Sequence, residues 1–247
     1  MAPDLRQSTG PASGTPTRDD DLASAPPVGG VEFGSWRRLT PISRVFGFDR
    51  GPCIDRRYIE RFLTRHAADV RGRVLEVADC EYTRAFGGDR VTRSDVLHAV
   101  AGNRKATIVG DLTCVETLSH DAFDCVILTQ TLQHVYDARS AVRTLHHALT
   151  PGGVVLATVP GISQISRYDM ERWGDFWRFT TLSARRLFEE TFDCEAVEVQ
   201  AHGNVLVACA FLHGLCADEL TPDELDQHDP DYPVLITIRA RKTGVSS

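Results

Sequence analysis

The sequence lacks the features that would place the protein in a membrane, in an oxidising compartment or on nucleic acid. Its longest apolar run, Val205 to Leu212, is far shorter than the ~20 residues that span a bilayer, and the N-terminus has no apolar signal-peptide core. The seven cysteines are odd in number and form no Cys-x-x-Cys pair, so spacing indicates neither a disulfide framework nor a zinc site. The net charge of −7 has the wrong sign for binding phosphates. We therefore predict a soluble, cytoplasmic protein with no nucleic-acid partner.

The composition is that of a globular protein, with 42% hydrophobic and 25% charged residues in a chain of 247. The first 30 residues are the exception, because they are rich in Pro, Gly, Ser and Thr and contain almost no large apolar side chain. After them, Tyr58, Ile59, Phe62 and Leu63 follow helical spacing. We predict a disordered tail over 1–30, a helical cap over 31–71 and a ligand-binding domain over 72–247.

The third segment alternates short β-branched runs with amphipathic stretches, a pattern typical of an α/β fold. It predicts a seven-stranded, doubly wound, mainly parallel sheet of the Rossmann-like type. The last strand is expected to be antiparallel because residues 215–229 supply a helix and a turn before it. The predicted strands are 74–77, 91–95, 106–109, 125–129, 154–159, 196–200 and 234–240.

Two helices of this segment are predicted from their apolar faces. Ala138, Val142, Leu145 and Leu149 have the spacing of one helical face, and the Pro-Gly-Gly sequence at 151–153 is expected to end that helix. A second helix is expected after Thr180 or Thr181, either of which can cap it, with its buried side formed by residues 184, 187 and 188.

Acidic residues follow three of the predicted strands. Glu76, Asp95 and Asp111 come at or just after the first, second and third strands, whose carboxyl ends meet at one edge of a parallel sheet. Asp95 lies 19 residues after Glu76, close to the ~20-residue offset at which an acidic residue reaches a ribose in nucleotide-binding folds. This pattern predicts a nucleoside site at that edge.

The first turn has no Gly-x-Gly-x-x-Gly sequence. It contains Ala78, Asp79 and Cys80 instead, so a pyrophosphate cannot approach the following helix closely, and the Asp79 charge would repel it. NAD, FAD and ATP are thereby disfavoured. A nucleoside that carries positive charge and no phosphate, such as S-adenosylmethionine, fits better.

The ordered motifs resemble those of class I S-adenosylmethionine-dependent methyltransferases, in their small-molecule branch and with a degenerate glycine motif. The resemblance covers roughly residues 72–240 and includes Arg178-Phe179-Thr180, a pattern common in that branch. The motifs are Val74-Leu75-Glu76-Val77, Asp95, Gly110-Asp111-Leu112, Phe123 to Leu128, Leu132-Gln133-His134-Val135 and Leu149 to Gly153.

The resemblance implies S-adenosylmethionine as cofactor and assigns its contacts. Asp95 is expected to bind the ribose hydroxyls, and Asp111 with the Leu112 backbone to bind the adenine edge. Glu76 and the loop that begins at Ala78 would face the methionine part. Gln130 would lie below the cofactor. No set of side chains with metal-ligand spacing is seen, so no metal is expected.

An acceptor hydroxyl must lose a proton, so a base is expected near the methyl group. His134, after the fourth strand, is the first candidate, because an imidazole can accept a proton near neutral pH. Tyr168 or Asp169 is the alternative base. Arg167, Tyr168 and Trp173 are candidate acceptor-binding residues. For Trp173 and the neighbouring aromatic residues a hydrophobic lid or core is the competing interpretation, and it is preferred for Trp177.

These residues predict methyl transfer to a hydroxyl of a small polar metabolite, with a sugar or a glycosylated biosynthetic intermediate as candidate acceptor. Two alternatives stay open: another reaction, such as a cyclisation or elimination, that uses bound cofactor without methyl transfer, and a noncatalytic partner. The helical cap is expected to cover the cofactor and to direct Arg50, Arg56, Arg57 and Tyr58 into the cleft.

Overall fold

The computed structural model describes residues 25–244. The predicted disordered tail therefore lies outside the described residues up to position 24. The chain divides into two compact units at Leu39/Thr40. The described part of the first unit contains a 3-10 turn at Gly34–Trp36, and the guanidinium of Arg37 lies 4.8 Å from the centroid of the Phe33 ring.

All the strands and α-helices found among residues 25–244 lie in the second unit. The seven strands that we predicted are all present, although their ends differ. They are β1 (Gly72–Val77), β2 (Val91–His98), β3 (Ile108–Val109), β4 (Phe123–Thr129), β5 (Leu149–Pro160), β6 (Val197–His202) and β7 (Leu235–Arg241).

Helices follow or precede most of these strands. They are α1 (Ile54–Arg65), α2 (Glu81–Gly87), α3 (Ala138–Ala148), α4 (Arg167–Met170), α5 (Thr181–Glu189), α6 (Val205–His213) and α7 (Pro222–Asp226).

The seven strands form one sheet with the order β3-β2-β1-β4-β5-β7-β6. The first five strands are parallel, and β7 runs antiparallel to both β5 and β6. The predicted doubly wound, mainly parallel sheet with an antiparallel last strand is thus confirmed. Because the chain reverses its direction of winding between β1 and β4, a crevice opens at their carboxyl ends, where such folds bind ligands.

The central strands are buried because helices cover both faces of the sheet. Val126 and Leu128 point to one side of β4 and Cys125 and Ile127 to the other, and all four are fully buried. The continuous apolar run of β4 thus reflects a strand with no solvent-exposed face. This burial fixes the strand ends from which the site residues project.

The helix that follows β4 ends earlier than predicted. Asp137 caps α3 by accepting a hydrogen bond from the Ser140 N–H, and the helix stops at Ala148. Leu149 already pairs with Phe123 as the first residue of β5, so residues 151–153 lie within that strand and do not end the helix. For α5, Thr180 forms a capping box with Ser183, as the sequence indicated.

The apolar run at Val205 forms helix α6, which is capped by Asn204 and ends at Gly214 in the left-handed conformation. Val207, Ala210 and Phe211 are buried, whereas Leu212 is partly exposed. No helix among residues 25–244 has the length and apolar character needed to cross a membrane.

The boundary predicted for the helical cap differs from the observed one. Residues 40–71 belong to the same compact unit as the sheet, and within them α1 is followed by a 3-10 turn at Ala67–Asp69. The backbone N–H of Ala217 donates to the carbonyl of Pro52 across 2.7 Å, and the Tyr58 hydroxyl donates to the carbonyl of Leu225 across 2.8 Å. These contacts join α1 to the C-terminal third of the chain.

Candidate active site

A cavity of about 890 Å³ lies at the carboxyl ends of β1, β2, β4 and β5. Its size falls within the range of small-molecule sites. The residues that line it come from the loops after these strands, from the first turn of α1 and from the segment between β5 and α5. The cavity is therefore at the position that the sheet topology predicts for a ligand.

The loop after β1 is held by the buried carboxylate of Glu76. Its oxygens accept hydrogen bonds from the backbone N–H groups of Tyr82 and Thr83 and from the Thr83 hydroxyl, so they satisfy the free N–H groups at the start of α2. Burial raises the pKa of Glu76 to about 7, although these hydrogen bonds act in the opposite direction. Ala78 lines the cavity in the left-handed conformation, with φ of 74°, a region that favours glycine.

The structure corrects the prediction that Asp95 binds the ribose. β2 continues for three residues beyond Asp95 to His98, so Asp95 lies within the strand and does not line the cavity. Its buried carboxylate accepts hydrogen bonds from Arg73, Arg93 and Thr107. Burial would raise the pKa of Asp95, but these hydrogen bonds outweigh it and lower the pKa. Asp95 is therefore part of a structural ion-pair cluster.

His98 occupies the end of β2 in place of the predicted acidic residue. It lines the cavity, and its Nδ1 lies 2.8 Å from the carbonyl oxygen of Val100. Its ring makes an edge contact with Trp173, with the ring centroids 5.4 Å apart. Sequence reasoning missed His98 because it ends the strand at the charged Asp95, whereas the buried Val96 and Leu97 continue β2 to His98.

The loop after β3 brings Asp111 and Leu112 to the cavity, as expected. The Asp111 carboxylate accepts a hydrogen bond from the Thr113 N–H across 2.8 Å, and the Thr117 hydroxyl donates to the Asp111 carbonyl across 2.6 Å. The Leu112 side chain is buried. This loop is thus fixed by its own hydrogen bonds, with one oxygen of Asp111 free of these contacts.

Gln130, Gln133 and His134 follow β4, and all three line the cavity. Gln130 has φ of 46°, and its side-chain oxygen accepts a hydrogen bond from the Gln133 amide. The Gln133 oxygen Oε1 is buried and has no hydrogen-bond partner within residues 25–244. Because buried acceptors are rarely left unpaired, this oxygen is available to a ligand donor.

The His134 ring is oriented by a backbone contact. Its Nδ1 lies 2.7 Å from the carbonyl oxygen of Gly174, and because a carbonyl can only accept, Nδ1 must carry the proton. Nε2 then has the free lone pair of the neutral imidazole, and it lies 4.0 Å from Oδ2 of Asp169. That oxygen also accepts a hydrogen bond from the Ser166 hydroxyl. The two candidate bases are thus brought together.

The short helix α4 divides the other predicted residues of this segment between those that face the cavity and those that face away from it. One turn of helix directs Ser166 and Asp169 toward the cavity and directs Arg167 and Tyr168 away from it. Tyr168 is 65% exposed and stacks on Arg172 at 3.6 Å from the ring centroid. The structure therefore corrects the prediction that Tyr168 is a base and that Arg167 and Tyr168 bind the acceptor.

Trp173 lines the cavity, and its ring contact places it on the side of His98. Trp177, by contrast, does not line it, and its indole N–H donates to the carbonyl oxygens of Val135 and Tyr136. Tyr136 and Phe176, which are both more than 45% exposed, form an aromatic pair at the cavity mouth with ring centroids 5.3 Å apart.

Four side chains of the predicted helical cap were expected to point into the cleft, and most of them do not. Arg50 pairs with Glu219, the Tyr58 hydroxyl binds the Leu225 carbonyl, and Arg57 does not line the cavity. Arg56 does line it. So does its neighbour Asp55, which sequence reasoning missed and whose oxygen Oδ1 is buried without a partner among residues 25–244.

The cavity is acidic. Seven carboxylate side chains line it against three arginines, and Asp175 and Arg178 pair with each other. The buried oxygens Oδ1 of Asp55 and Oε1 of Gln133, which have no hydrogen-bond partner within residues 25–244, add two acceptors. Such a lining favours a cationic ligand with N–H donors. No cluster of three or more metal-ligating side chains occurs among residues 25–244.

Solved structures that resemble the chain include known methyltransferases. A phosphoethanolamine N-methyltransferase of Haemonchus contortus in complex with phosphomonomethylethanolamine and S-adenosylhomocysteine shares 15% identity over 86% of this chain and 55% of its own, with a TM-score of 0.51. An S-adenosylmethionine-dependent methyltransferase of Mesorhizobium loti shares 18% identity over 79% of this chain and 100% of its own, with a TM-score of 0.49. The likeness to the Haemonchus contortus enzyme, at 15% identity, is one of fold. No curated protein matches the chain.

A family profile described as a methyltransferase domain matches residues 45–198, which is more than half of the chain. S-adenosylmethionine, the cofactor, carries a sulfonium and an ammonium group, and the acidic lining with its two unpartnered acceptors fits both. The chain therefore belongs to the class I S-adenosylmethionine-dependent methyltransferases.

Proposed function

We propose that the protein transfers the methyl group of S-adenosylmethionine to a hydroxyl of a small polar metabolite, with a sugar or a glycosylated biosynthetic intermediate as the candidate acceptor. The observation that carries the proposal is the lone pair of His134 Nε2, which lies inside the cavity 4.0 Å from the Asp169 carboxylate. Two hydrogen-bond acceptor atoms at this distance leave room for a hydrogen-bond donor between them. The hydroxyl group of the substrate that receives the methyl group is such a donor.

His134 then acts as the general base. Nε2 would take the proton of the acceptor hydroxyl, and the resulting positive imidazolium would be stabilised on both sides. Gly174 accepts its Nδ1–H, and the Asp169 carboxylate faces its Nε2–H. Both partners are in place before reaction, so little reorganisation is needed.

The bound cofactor supplies a methyl group bonded to a positively charged sulfur, and this sulfur is already an activated leaving group. The residues of this chain must therefore mainly align the acceptor and exclude water. Trp173 and His98, which contact each other, together with Asp111 and Leu112 would hold the nucleoside end. Gln130 and Gln133 would lie beside the methyl group, because they adjoin His134 after β4.

The acceptor would enter past Tyr136 and Phe176. Their exposed rings offer flat apolar faces, while Asp169 and Arg172 provide polar groups on the cavity wall. Sugars present apolar C–H faces and hydroxyl edges and match such a combination. The proposed acceptor class rests on this pairing of aromatic rim and polar wall.

The alternative is another reaction, such as a cyclisation or elimination, that uses the bound cofactor without methyl transfer. It is favoured by His98, which ends β2 where the resemblance implies an acidic residue. Incubation with methyl-labelled S-adenosylmethionine and a panel of sugars, nucleotide sugars and glycosylated phenols distinguishes the two. Label in a hydroxyl methyl ether supports the proposal. Conversion of an acceptor that requires the cofactor but incorporates no label supports the alternative and contradicts the proposal.

A further inference from the structure

Two buried cysteines face each other immediately before α1. Cys53 and Cys216 are the partners of an antiparallel β-bridge, and the two residues are only 1% and 2% exposed. The Ala217 N–H donates to the Pro52 carbonyl across 2.7 Å, so a hydrogen bond joins the residues that flank the pair. In an antiparallel pair of this kind the Cα atoms are about 4.5 Å apart, and both side chains project from the same side.

This arrangement is compatible with a disulfide, which requires Cα atoms roughly 4.4–6.8 Å apart. Both residues are free thiols in this structure, and the Cys53 thiol donates to the Phe46 carbonyl across 3.0 Å. The Cys216 sulfur lies beside the segment that precedes Cys53, because a Cβ on Gly51 would be 2.8 Å from it. Rotation of the Cys53 side chain away from Phe46 is therefore the main change that a disulfide needs.

Neighbouring contacts hold the two segments in register. The Arg50 guanidinium donates to the Glu219 carboxylate across 2.9 Å. Gly47 has φ of 82°, and a Cβ there would lie 2.6 Å from the Leu215 carbonyl oxygen, so this close approach requires glycine. Because the backbones already meet, the two cysteines can be linked without moving either segment.

We propose that Cys53 and Cys216 are a redox modification site, which closes to a disulfide by reaction with a low-molecular-weight disulfide such as oxidised glutathione. One cysteine thiolate attacks a glutathione sulfur and releases one glutathione, and the second cysteine thiolate attacks the mixed disulfide and releases the other. Two cysteine thiols are thus oxidised while one oxidised glutathione is reduced to two glutathione thiols, which take up the two protons. The proposal goes beyond methyl transfer and does not depend on the proposed function.

The disulfide would tie the start of α1 to the C-terminal third of the chain. It closes a loop of more than 160 positions, and the first turn of α1 contributes Asp55 and Arg56 to the cavity wall. A crosslink over so long a loop removes conformational freedom from the unfolded chain. Oxidation is therefore expected to stabilise the protein and to secure that wall of the cavity.

Burial makes the reaction slow in the folded protein. It raises the pKa of the Cys53 thiol to about 12, so little thiolate is present near neutral pH. The exposed thiols of Cys114 and Cys194 are accessible to glutathione, and we expect them to form mixed disulfides only. The test must therefore identify which cysteines are linked and must also give the buried pair access to the oxidant.

The experiment incubates the full chain in buffers with a graded ratio of oxidised to reduced glutathione, once as folded protein and once during refolding from urea. Mass spectrometry of unreduced peptides should find the peptides of Cys53 and Cys216 linked, and a reductant should separate them. The linked form should unfold at a temperature at least about 5 °C higher than the reduced form. Absence of this link after both treatments, or a linked form that unfolds at a lower temperature, overturns the proposal.

Three variants complete the test. Cys53→Ala and Cys216→Ala should each abolish the link and the increase in unfolding temperature on oxidation. Cys125→Ala is the matched control, because Cys125 is equally buried but is paired with Val74 and Val154 in the sheet, and it should keep both effects. Each variant is compared with its own reduced form, so that lost packing does not affect the result. An increase that persists in Cys53→Ala would arise from another modification and would refute the site.

Discussion

The Nδ1–H of His134 donates to the carbonyl of Gly174 across 2.7 Å and thereby links the end of β4 to the segment that covers the cavity. Gly174 has φ of 90°, and a Cβ there would lie 2.3 Å from the Phe176 ring, so only glycine fits. The partner that fixes the His134 tautomer is a backbone carbonyl, which does not titrate. Nε2 is therefore the nitrogen available for proton transfer whenever the imidazole is neutral.

Replacing His134 with Gln should lower kcat by about 10² to 10⁴, the usual contribution of a general base, while the Kd for S-adenosylhomocysteine changes less than twofold. Single-turnover methyl transfer and calorimetry measure the two quantities. His146→Gln is the control, because that ring packs on Phe192 and does not line the cavity. Unchanged turnover in His134→Gln would mean that the base is elsewhere.

Replacing Trp173 with Ala should weaken S-adenosylhomocysteine about tenfold and leave the KM of the acceptor nearly unchanged. The reason is its edge contact with His98 on the nucleoside side of the cavity. Tyr232→Ala is the aromatic control, because Tyr232 is partly exposed and does not line the cavity. A raised acceptor KM with unchanged cofactor affinity would instead assign Trp173 to the acceptor.

Replacing Asp95 with Asn should lower the free energy of unfolding by about 1–3 kcal/mol without affecting cofactor affinity, because the carboxylate binds Arg73, Arg93 and Thr107. Its folded pKa is lowered by these hydrogen bonds, so ionised Asp95 stabilises the fold above its unfolded pKa of about 4. That contribution is lost as the pH falls through the folded pKa.

Urea unfolding of wild type and Asp95→Asn at pH 7 and pH 3 tests this, with exposed Asp89→Asn as control. The difference between wild type and Asp95→Asn should be smaller at pH 3. A variant as stable as wild type at pH 7 but with weakened cofactor binding would restore the original ribose assignment.

Replacing Glu76 with Gln should remove a pH dependence of stability. Burial raises the pKa of Glu76 from its usual 4.5 to about 7, so the folded state holds this proton more tightly than the unfolded state does. The resulting stabilisation is fully present below pH 4.5 and is lost as the pH rises to about 7, by up to about 3 kcal/mol. Urea unfolding at several pH values from 4.5 to 8 measures it.

The difference in unfolding free energy between wild type and Glu76→Gln should change across that interval and be constant above it. Glu81→Gln, at an exposed position on α2, should unfold with a pH profile parallel to wild type. Parallel profiles for wild type and Glu76→Gln would show that Glu76 is ionised in the folded state well below pH 7.

The number of strands and their mainly parallel arrangement could be predicted from the sequence because short strand-like runs, such as the buried Cys125 to Leu128, alternate with helical segments. The strand ends were harder to predict. β2 continues through Val96 and Leu97, which are buried, to His98, whose polar ring gave no signal that it ends the strand. Because a strand advances about 3.3 Å per residue, an error of three residues places Asp95 about 10 Å before the strand end, within the sheet and away from the cavity.

The candidate site was predictable where a residue directly follows a strand. Asp111 and Gln130 line the cavity because they lie within two residues of the ends of β3 and β4, and His134 lies one 3-10 turn beyond Gln130. The segment after β5 was not predictable in the same way, because one turn of helix at Arg167–Met170 decides which side chains face inward. Asp55 was missed because its place in the cavity lining depends on long-range packing of α1, which no local sequence pattern indicates.

The attachment of α1 to residues 216–225 has a consequence for synthesis of the protein. Pro52 and Tyr58 find their partners, Ala217 and Leu225, more than 160 positions later in the chain. Until that stretch has been synthesised, these two hydrogen bonds cannot form, although the contact of Arg56 with Tyr82 can. Full ligand affinity should therefore arise only after residues 216–225, and most of the sheet before them, have been made.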